Sequence, residues 1–411
     1  MGATGSRTAS AESTASTPAR SARRNPLRRL ADGPPMLRHA LVGLVVLLVV
    51  IALIAASAPF VQGQLASLAY MSVAAAGLTV LTGLSGQLSL GHGAFMAIGA
   101  YTAALLLPSS TQQSPIIVVL GAATLVALVV GIVVGLAAAR LHGPYLAGAT
   151  LALAVAVPGL AIYFADVFGG EQGLNVSAPR IPRWFDDALF FVTGRELTNM
   201  GFLANLAWIV LVIVLVLLAN LASGRTGRQW RAVRDDEVAA SLAGIDLGRS
   251  RVLAFVVSAA AASLAGALLA MATRIVAPAG FTLTLSLGLL AAIVLGGLGT
   301  LSGAVIGSAI IVLLPQLATS VGSDMGLSDL QAAELAPLAY GLTTMLVILL
   351  APQGLVGTVR TAWLRRRGAA AAAPSTPTER ENTHRTDDTP DRAANDHGRT
   401  HDERMINKET T

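Results

Sequence analysis

Runs of apolar residues alternate with short polar intervals from residue 41 to residue 350. Ten runs read as helices that cross a bilayer: about 41–58, 65–82, 88–107, 116–139, 145–165, 202–222, 252–271, 285–298, 301–317 and 335–350. Most approach the roughly 20 apolar residues that a hydrocarbon core requires. The eighth and ninth are separated only by Gly299 and Thr300. A re-entrant pair there, with one more weak span miscounted, gives eight spans instead. Pro158 inside the fifth run predicts a kink. The pattern predicts an all-α polytopic transmembrane helical bundle of about ten spans (eight to ten).

The polar intervals give it a direction. Arg23, Arg24, Arg28, Arg29 and Arg38 precede the first run. The interval 223–251 carries six arginines (Arg225, Arg228, Arg231, Arg234, Arg249 and Arg251), whereas 166–201 carries three (Arg180, Arg183 and Arg195). Arginine-rich intervals stay in the cytoplasm. Ten spans then put both termini and the 223–251 loop inside, with 166–201 and the acidic interval 323–334 outside. Ala56-Ser57-Ala58 resembles a signal-peptidase site, but a run near 18 residues is long for a signal peptide, so the first span is expected to stay. Residues 1–37 have no apolar period and read as a disordered basic tail. The transmembrane domain takes 38–358, and 359–411 reads as a basic juxtamembrane segment followed by a disordered tail.

One stretch breaks the apolar pattern from within. Leu81 to Tyr101 reads LTGLSGQLSLGHGAFMAIGAY, with Gly83, Gly86, Gly91, Gly93 and Gly99 among apolar residues. Glycine costs a helix interior about 1 kcal/mol against alanine. Polar side chains at membrane depth are unfavourable without partners. Irregular backbone survives there only where protein buries it or it lines a water-filled cavity. The stretch therefore predicts a broken helix or a close helix contact beside a pathway, with Gly86, Gln87, Ser89, Gly91 and His92 as pathway candidates. His92 has two readings: a neutral histidine bonded to neighbouring backbone, or a side chain near the path. No second metal ligand lies near it, so no metal site is expected. A second glycine-rich stretch at 295–307 raises the possibility of an inverted repeat, since paired interrupted segments can flank a central site. Gly299, Gly303 and Gly307, like Gly131, Gly135 and Ala139, recur at four-residue spacing and predict close helix packing.

Composition narrows the chemistry. The chain is 54% hydrophobic and 12% charged, with a mean hydropathy of +0.66. A net charge of +5 would suggest nucleic acid in a soluble protein, but here the arginines sit between spans and at the ends. Cysteine is absent, which excludes disulfides, thiolate metal sites and thiol catalysis. No cluster of His, Asp, Glu or Ser stands at a span end, which disfavours a membrane-embedded enzyme. No Asp or Glu lies centrally in a span, where ion-coupled carriers usually keep one. Backbone carbonyls can also hold an ion, so an ATP-independent carrier or channel remains an alternative. A P-loop needs Lys followed by Ser or Thr. The sole lysine, Lys408, precedes Glu409, so if ATP drives transport another polypeptide binds it.

The loop 226–244 reads TGRQWRAVRDDEVAASLAG. Thr226 and Gln229 fit a capping box and Gly244 fits a helix C-terminus, which predicts one helix of about four turns. Its front carries Arg228, Arg231, Arg234, Asp235, Asp236 and Glu237; its end is small, with Ala239, Ala240, Ala243 and Gly244. It reads either as an amphipathic helix on the membrane surface or as a helix that docks into a cleft of a soluble partner.

Ala239, Ala240 and Gly244 match the spacing of the coupling motif of ABC importer permeases, Glu-Ala-Ala followed by three residues and Gly. Val238 stands where that family has glutamate, and Glu237 lies one position earlier. GLSGQLSLGHGAFMAIGAY, RAVRDDEVAASLAGID and GGLGTLSGAVIG together resemble the permease family of branched-chain amino acid ABC importers, of the LivM type. GGEQGL at 169–174 is similar to the family's outer loop, and the likeness spans about residues 40–360. The resemblance implies a permease subunit of the bacterial inner membrane that translocates branched-chain or other apolar amino acids. Related permeases carry urea or short-chain amides, which stay open as alternatives. It further implies no cofactor on this chain, ATP hydrolysed by two cytoplasmic ATPase subunits, a second homologous permease as heterodimer partner and an extracytoplasmic binding protein. Coupling would fall to Arg231, Arg234, Glu237, Ala239, Ala240 and Gly244.

Overall fold

The computed structural model describes residues 35–108, 114–141, 143–195, 197–351, 354–359 and 361. Apart from their first or last few residues, the tails expected to be disordered lie outside the described residues.

Every predicted run is helical. In chain order the helices are α1 (Pro35–Ala56), α2 (Pro59–Leu78), α3 (His92–Leu106), α4 (Ile116–Ala138), α5 (Pro144–Tyr163), the short α6 (Ala165–Phe168), α7 (Arg183–Thr193), α8 (Asn199–Ser223), α9 (Arg225–Asp235), α10 (Glu237–Leu242), α11 (Leu247–Thr273), α12 (Leu283–Gly296), α13 (Leu301–Asp324) and α14 (Asp329–Leu350). Eight helices among the described residues are long and apolar enough to cross a membrane, the lower end of the expected range; His92–Leu106 and Pro337–Val347 are apolar but shorter. Pro278–Gly296 and Leu301–Asp324 are each long enough to cross by themselves. Helix α5 continues through Pro158.

The crossings alternate between two ends. The arginine-rich end holds the start of α1, the break between α2 and α3, helices α9 and α10, and the turn 297–300. The opposite end holds α6, α7 and a two-stranded antiparallel ladder in which Leu174 pairs with Val276 and Asn175 with Ile275.

Helix α11 is the axis of the bundle, packed against α2, α3 and α4. Its sequence explains this. Ala259, Ala262, Ala265 and Ala267 are fully buried, and such small residues let helix backbones approach closely where lipid supplies no hydrophobic drive. Gly99 of α3 lies against the Ser263 carbonyl, and Gly266 of α11 lies against the Met96 carbonyl. On the α4 side, Gly131 faces Ala259 and Gly135 faces Phe255.

Polar residues inside the bundle are tied to backbone. The Gln62 amide donates to the carbonyls of Ile54 and Ser57, both at 3.1 Å, and its Oε1 accepts from Thr198 Oγ1 at 2.7 Å. That joins α1, α2 and the N-cap of α8. Trp208 Nε1 donates to the Leu65 carbonyl at 3.0 Å.

The two glycine-rich stretches do not form an inverted pair. Helices α2 and α12 both run toward the arginine-rich end and stop there, with Gly83 packed on Gly299. An axis in the membrane plane would place such breaks at opposite ends.

Candidate functional site: a glycine-rich break and the loop beneath it

Helix α2 ends in a π-helical turn, Thr79–Leu84, and helical structure resumes only at His92. Thr79 begins the change by donating its hydroxyl to the Ala75 carbonyl at 2.8 Å. π-turns concentrate at functional sites. The non-helical segment satisfies its backbone in other ways, as membrane depth demands. Gln87 N donates to Leu81 O at 3.0 Å, Thr82 Oγ1 donates to Gln87 O at 3.0 Å, and Leu90 N donates to Thr150 Oγ1 at 3.0 Å. Gly86 takes φ +75°, which other residues adopt only with strain.

The pathway candidates separate by exposure. Gly86 is exposed, whereas Gln87, Ser89, Gly91 and His92 are buried. Gln87 Nε2 donates to Ser85 Oγ at 2.6 Å and lies 3.5 Å from the Arg251 carbonyl. Gly91 rests on the backbone of Thr150. His92 Nε2 lies 2.9 Å from the Ala74 carbonyl, so that nitrogen carries the proton. Its Nδ1 then faces the Ser258 hydroxyl at 3.5 Å.

The loop is two helices rather than one. Asp236 is extended (φ −158°, ψ 109°) and splits it, and its carboxylate caps α10 by accepting from Val238 N and Ala239 N at 2.9 and 3.0 Å. An aspartate followed by a short helix competes with continuation of the first helix. The expected capping box is also absent: α9 starts after Gly224, with no side-chain cap. The C-terminal expectation for Gly244 fits the geometry. Its φ is +80°, and Ile245 N bonds back to Ala240 O while Gly244 N bonds to Ser241 O, a Schellman ending.

Helix α9 is pinned by its apolar face. Trp230 is fully buried and donates Nε1 to the Ser250 carbonyl at 3.0 Å, with Val233 beside it in the core. Arg231 Nη1 reaches the Ala222 carbonyl at 3.1 Å, at the end of α8. Arg234 turns the other way and donates Nη1 to the Gly83 carbonyl at 2.7 Å, while its other nitrogens pair with Asp235. Gly86 packs against the stem of Arg234, and Gly299 (φ +79°) sits by its guanidinium.

Glu237 pairs with Arg251 Nη2 at 2.5 Å; the arginine side chain is 6% exposed and the carboxylate 48%. Arg251 Nη1 also donates to the Ala139 carbonyl at 3.3 Å. One buried guanidinium therefore joins α10, the end of α4 and the start of α11.

Ala240 turns inward, at 3% exposure, while Ala239, Ala243 and Gly244 face out. The outward face also carries Val238 and Leu242, 70% and 84% exposed. Sequence reasoning missed these two, and also Trp230 and Arg251. A tryptophan among arginines was the available signal for Trp230. In the helix-packing trio, Gly303 faces Gly296 and Gly307 faces Ala292, but Gly299 belongs to the turn before α13 and packs on Gly83. Among the described residues no group of three or more His, Asp or Glu side chains is placed to hold a metal.

Comparison with known proteins agrees with this architecture. Residues 60–351 match the family described as branched-chain amino acid transport system / permease component. The chain is 31% identical over 307 residues to the high-affinity branched-chain amino acid transport system permease protein LivM of Escherichia coli K12, covering 72% of this chain and 69% of that protein. It is 27% identical over 290 residues to the permease protein BraD of Pseudomonas aeruginosa (69% and 90% covered), and 26% identical over 291 residues to LivH of Escherichia coli K12 (69% and 90% covered). No solved structure matches. The chain belongs to the permease-component family of branched-chain amino acid transport systems.

Proposed function

We propose that this chain is the permease subunit of an ATP-driven importer of branched-chain amino acids in a bacterial inner membrane. Support for the substrate comes from relatives whose names specify high-affinity branched-chain amino acid transport. Arginine placement supports a cytoplasmic position for the loop end and both termini. A second permease is its partner, an arrangement favoured by its likeness to both LivM and LivH proteins. ATP is bound and hydrolysed by two cytoplasmic subunits, and an external binding protein delivers the substrate.

The observation that carries the coupling mechanism is the bond from Arg234 to the Gly83 carbonyl. Helix α10 offers Val238, Ala239, Leu242, Ala243 and Gly244 to an ATPase cleft. Glu237 and Ala240 hold that face on the bundle, and Arg231 and Arg234 anchor the helix before it. When the ATPases close, the loop moves and Arg234 carries the motion to the break. There Gly86, Gln87, Ser89, Gly91 and His92 form the inner closure of the path. The packing of Gly299 on Gly83, with Gly303 and Gly307 against α12, transmits the same motion to α12 and α13.

The test is uptake of labelled leucine, with labelled urea alongside, in cells lacking this chain. Lost leucine uptake with urea intact supports the assignment. Lost urea uptake with leucine intact moves the substrate to urea and keeps the architecture. Leucine uptake by membranes holding this chain alone, without ATP, would favour a carrier.

A further inference from the structure

The lipid-facing surface of a membrane helix is apolar, and α4 illustrates it. Its exposed residues include Ile117, Val118, Leu125, Val129, Val133 and Leu136, and none of its exposed residues is polar. The half of α13 nearer the opposite end differs. Gln316, Ser320 and Ser323 are all exposed there, at spacings of four and three residues that put them on one face. That face lies opposite the stripe of Gly303, Ala304, Gly307 and Ser308 buried against the bundle.

Gln316 and Gln64 of α2 both line an open cleft of about 650 Å³ whose walls are otherwise mostly apolar, Phe60, Leu313 and Leu317 among them. Its size falls within the range of roughly 300–1,000 Å³ typical of small-molecule sites. The hydroxyls of Thr319 and Ser320 bond back to their own helix, at Pro315 O and Leu317 O. Among the described residues the carboxamides of Gln64 and Gln316 make no hydrogen bond. Two positions from Gln64, Gln62 satisfies both its amide nitrogen and its carbonyl oxygen.

Both glutamines stand near the opposite end of the bundle, Gln316 at the end of the ninth apolar run and Gln64 just ahead of the second. A carboxamide turned to hydrocarbon there without a partner is unfavourable, and water relieves the cost.

We propose that the α2–α13 cleft is water-filled and forms the entry wall of the translocation path, where Gln64 and Gln316 contact a zwitterionic amino acid. This rests on the transport reading above and adds the contact residues. A carboxamide donates through its NH2 and accepts through its oxygen, so the pair can meet both the carboxylate and the ammonium of an α-amino acid. Having no charge, it holds neither strongly enough to prevent passage.

The absence of cysteine from the chain makes the test direct. Single variants Q64C, Q316C and V129C are expressed with the whole transporter in membrane vesicles and treated with a charged, membrane-impermeant thiosulfonate. Q64C and Q316C should react at least tenfold faster than V129C, and added leucine with binding protein should slow them. Reaction no faster than at V129C overturns the proposal. The Q64L/Q316L variant, present in the membrane at wild-type amounts and still retaining its ATPase subunits, should lose at least tenfold in leucine uptake. Unchanged uptake in that variant overturns a substrate role even if the cysteines react. Failure of the transport reading shows separately, as absence of leucine uptake by the wild-type complex while Q316C still reacts with the aqueous reagent.

Discussion

The guanidinium of Arg234 donates to the carbonyl of Gly83 across 2.7 Å and so fastens the loop between α8 and α11 to the point where α2 loses its helix. A hydrogen bond from a charged donor contributes roughly 1.5–3 kcal/mol. The neighbouring pair with Asp235 adds little, because its side chains are 38% and 65% exposed. Arg234→Ala should therefore loosen the connection without unfolding the bundle. Leucine uptake should fall tenfold or more while ATP hydrolysis by the assembled complex persists. Arg234→Lys, which keeps the charge and can still donate, should be intermediate. Full uptake in Arg234→Ala would remove this bond from the coupling route.

Gly244→Leu tests the docking face. A Cβ at this position meets nothing within 4 Å, so the bundle has room for it. The φ of +80° costs a non-glycine residue about 1–2 kcal/mol, confined to the end of α10. The variant should reach the membrane in near-normal amounts yet retain less ATPase on purification and lose stimulation of hydrolysis by substrate. Normal coupling in a stably inserted variant rejects the docking assignment.

Trp230→Ala should release α9. The side chain is fully buried and its indole N–H is bonded to Ser250, so truncation costs about 3–5 kcal/mol. Trp230→Phe keeps most of the packing and loses the bond to a carbonyl that retains its place in the α11 ladder, at about 0.5–1.5 kcal/mol. Limited trypsin digestion reads the result directly, since Arg228, Arg231 and Arg234 lie on the same helix. Cleavage there should rise steeply in the alanine variant and modestly in the phenylalanine variant. Equal protection in all three would show that the tryptophan does not hold the helix.

Helix packing can be tested without any transport assay. Gly99→Val and Gly266→Val push a side chain into the facing backbone of α11 and α3, and both should abolish accumulation in the membrane. Gly121→Ala and Gly159→Ala meet nothing within 4 Å and should leave it unchanged or raise the melting temperature slightly. Accumulation is measured by immunoblot of washed membranes.

The sequence made the crossings plain because membrane spans depend on little besides length and apolarity. It made the break plain because five glycines and a histidine have no place in an ordinary span. It misjudged what depends on three-dimensional direction. Asp236 looked like one charge in a helical row, and only its extended backbone reveals it as the cap of a second helix. Ala240 and Val238 are neighbours in a run of small and apolar residues, yet one turns inward and the other outward. Gly299 kept step with Gly303 and Gly307 at four-residue spacing, but α13 starts only at Leu301. Gln316 attracted no notice because an isolated glutamine in an apolar run is unremarkable until its neighbours across the cleft are known.

Helix α1 has a mean hydropathy of 2.9 but only 11% burial, the least of the long apolar helices, and it precedes the segment that the family shares. Beyond its packing on α8, it is held by three hydrogen bonds: His39 to Asn220, the Arg195 guanidinium to the Ala55 carbonyl and the Gln62 amide to the Ile54 carbonyl. Deleting the chain before Pro59 should therefore leave the packing of α2, α3, α4 and α11 intact but remove the arginines ahead of α1. A tag on the C-terminus would report which side of the membrane it then occupies. The consequence is a division of labour in time. The helix that the finished bundle holds least leaves the ribosome before the other described helices, and the arginines ahead of it are then placed to set the direction of the crossings that follow.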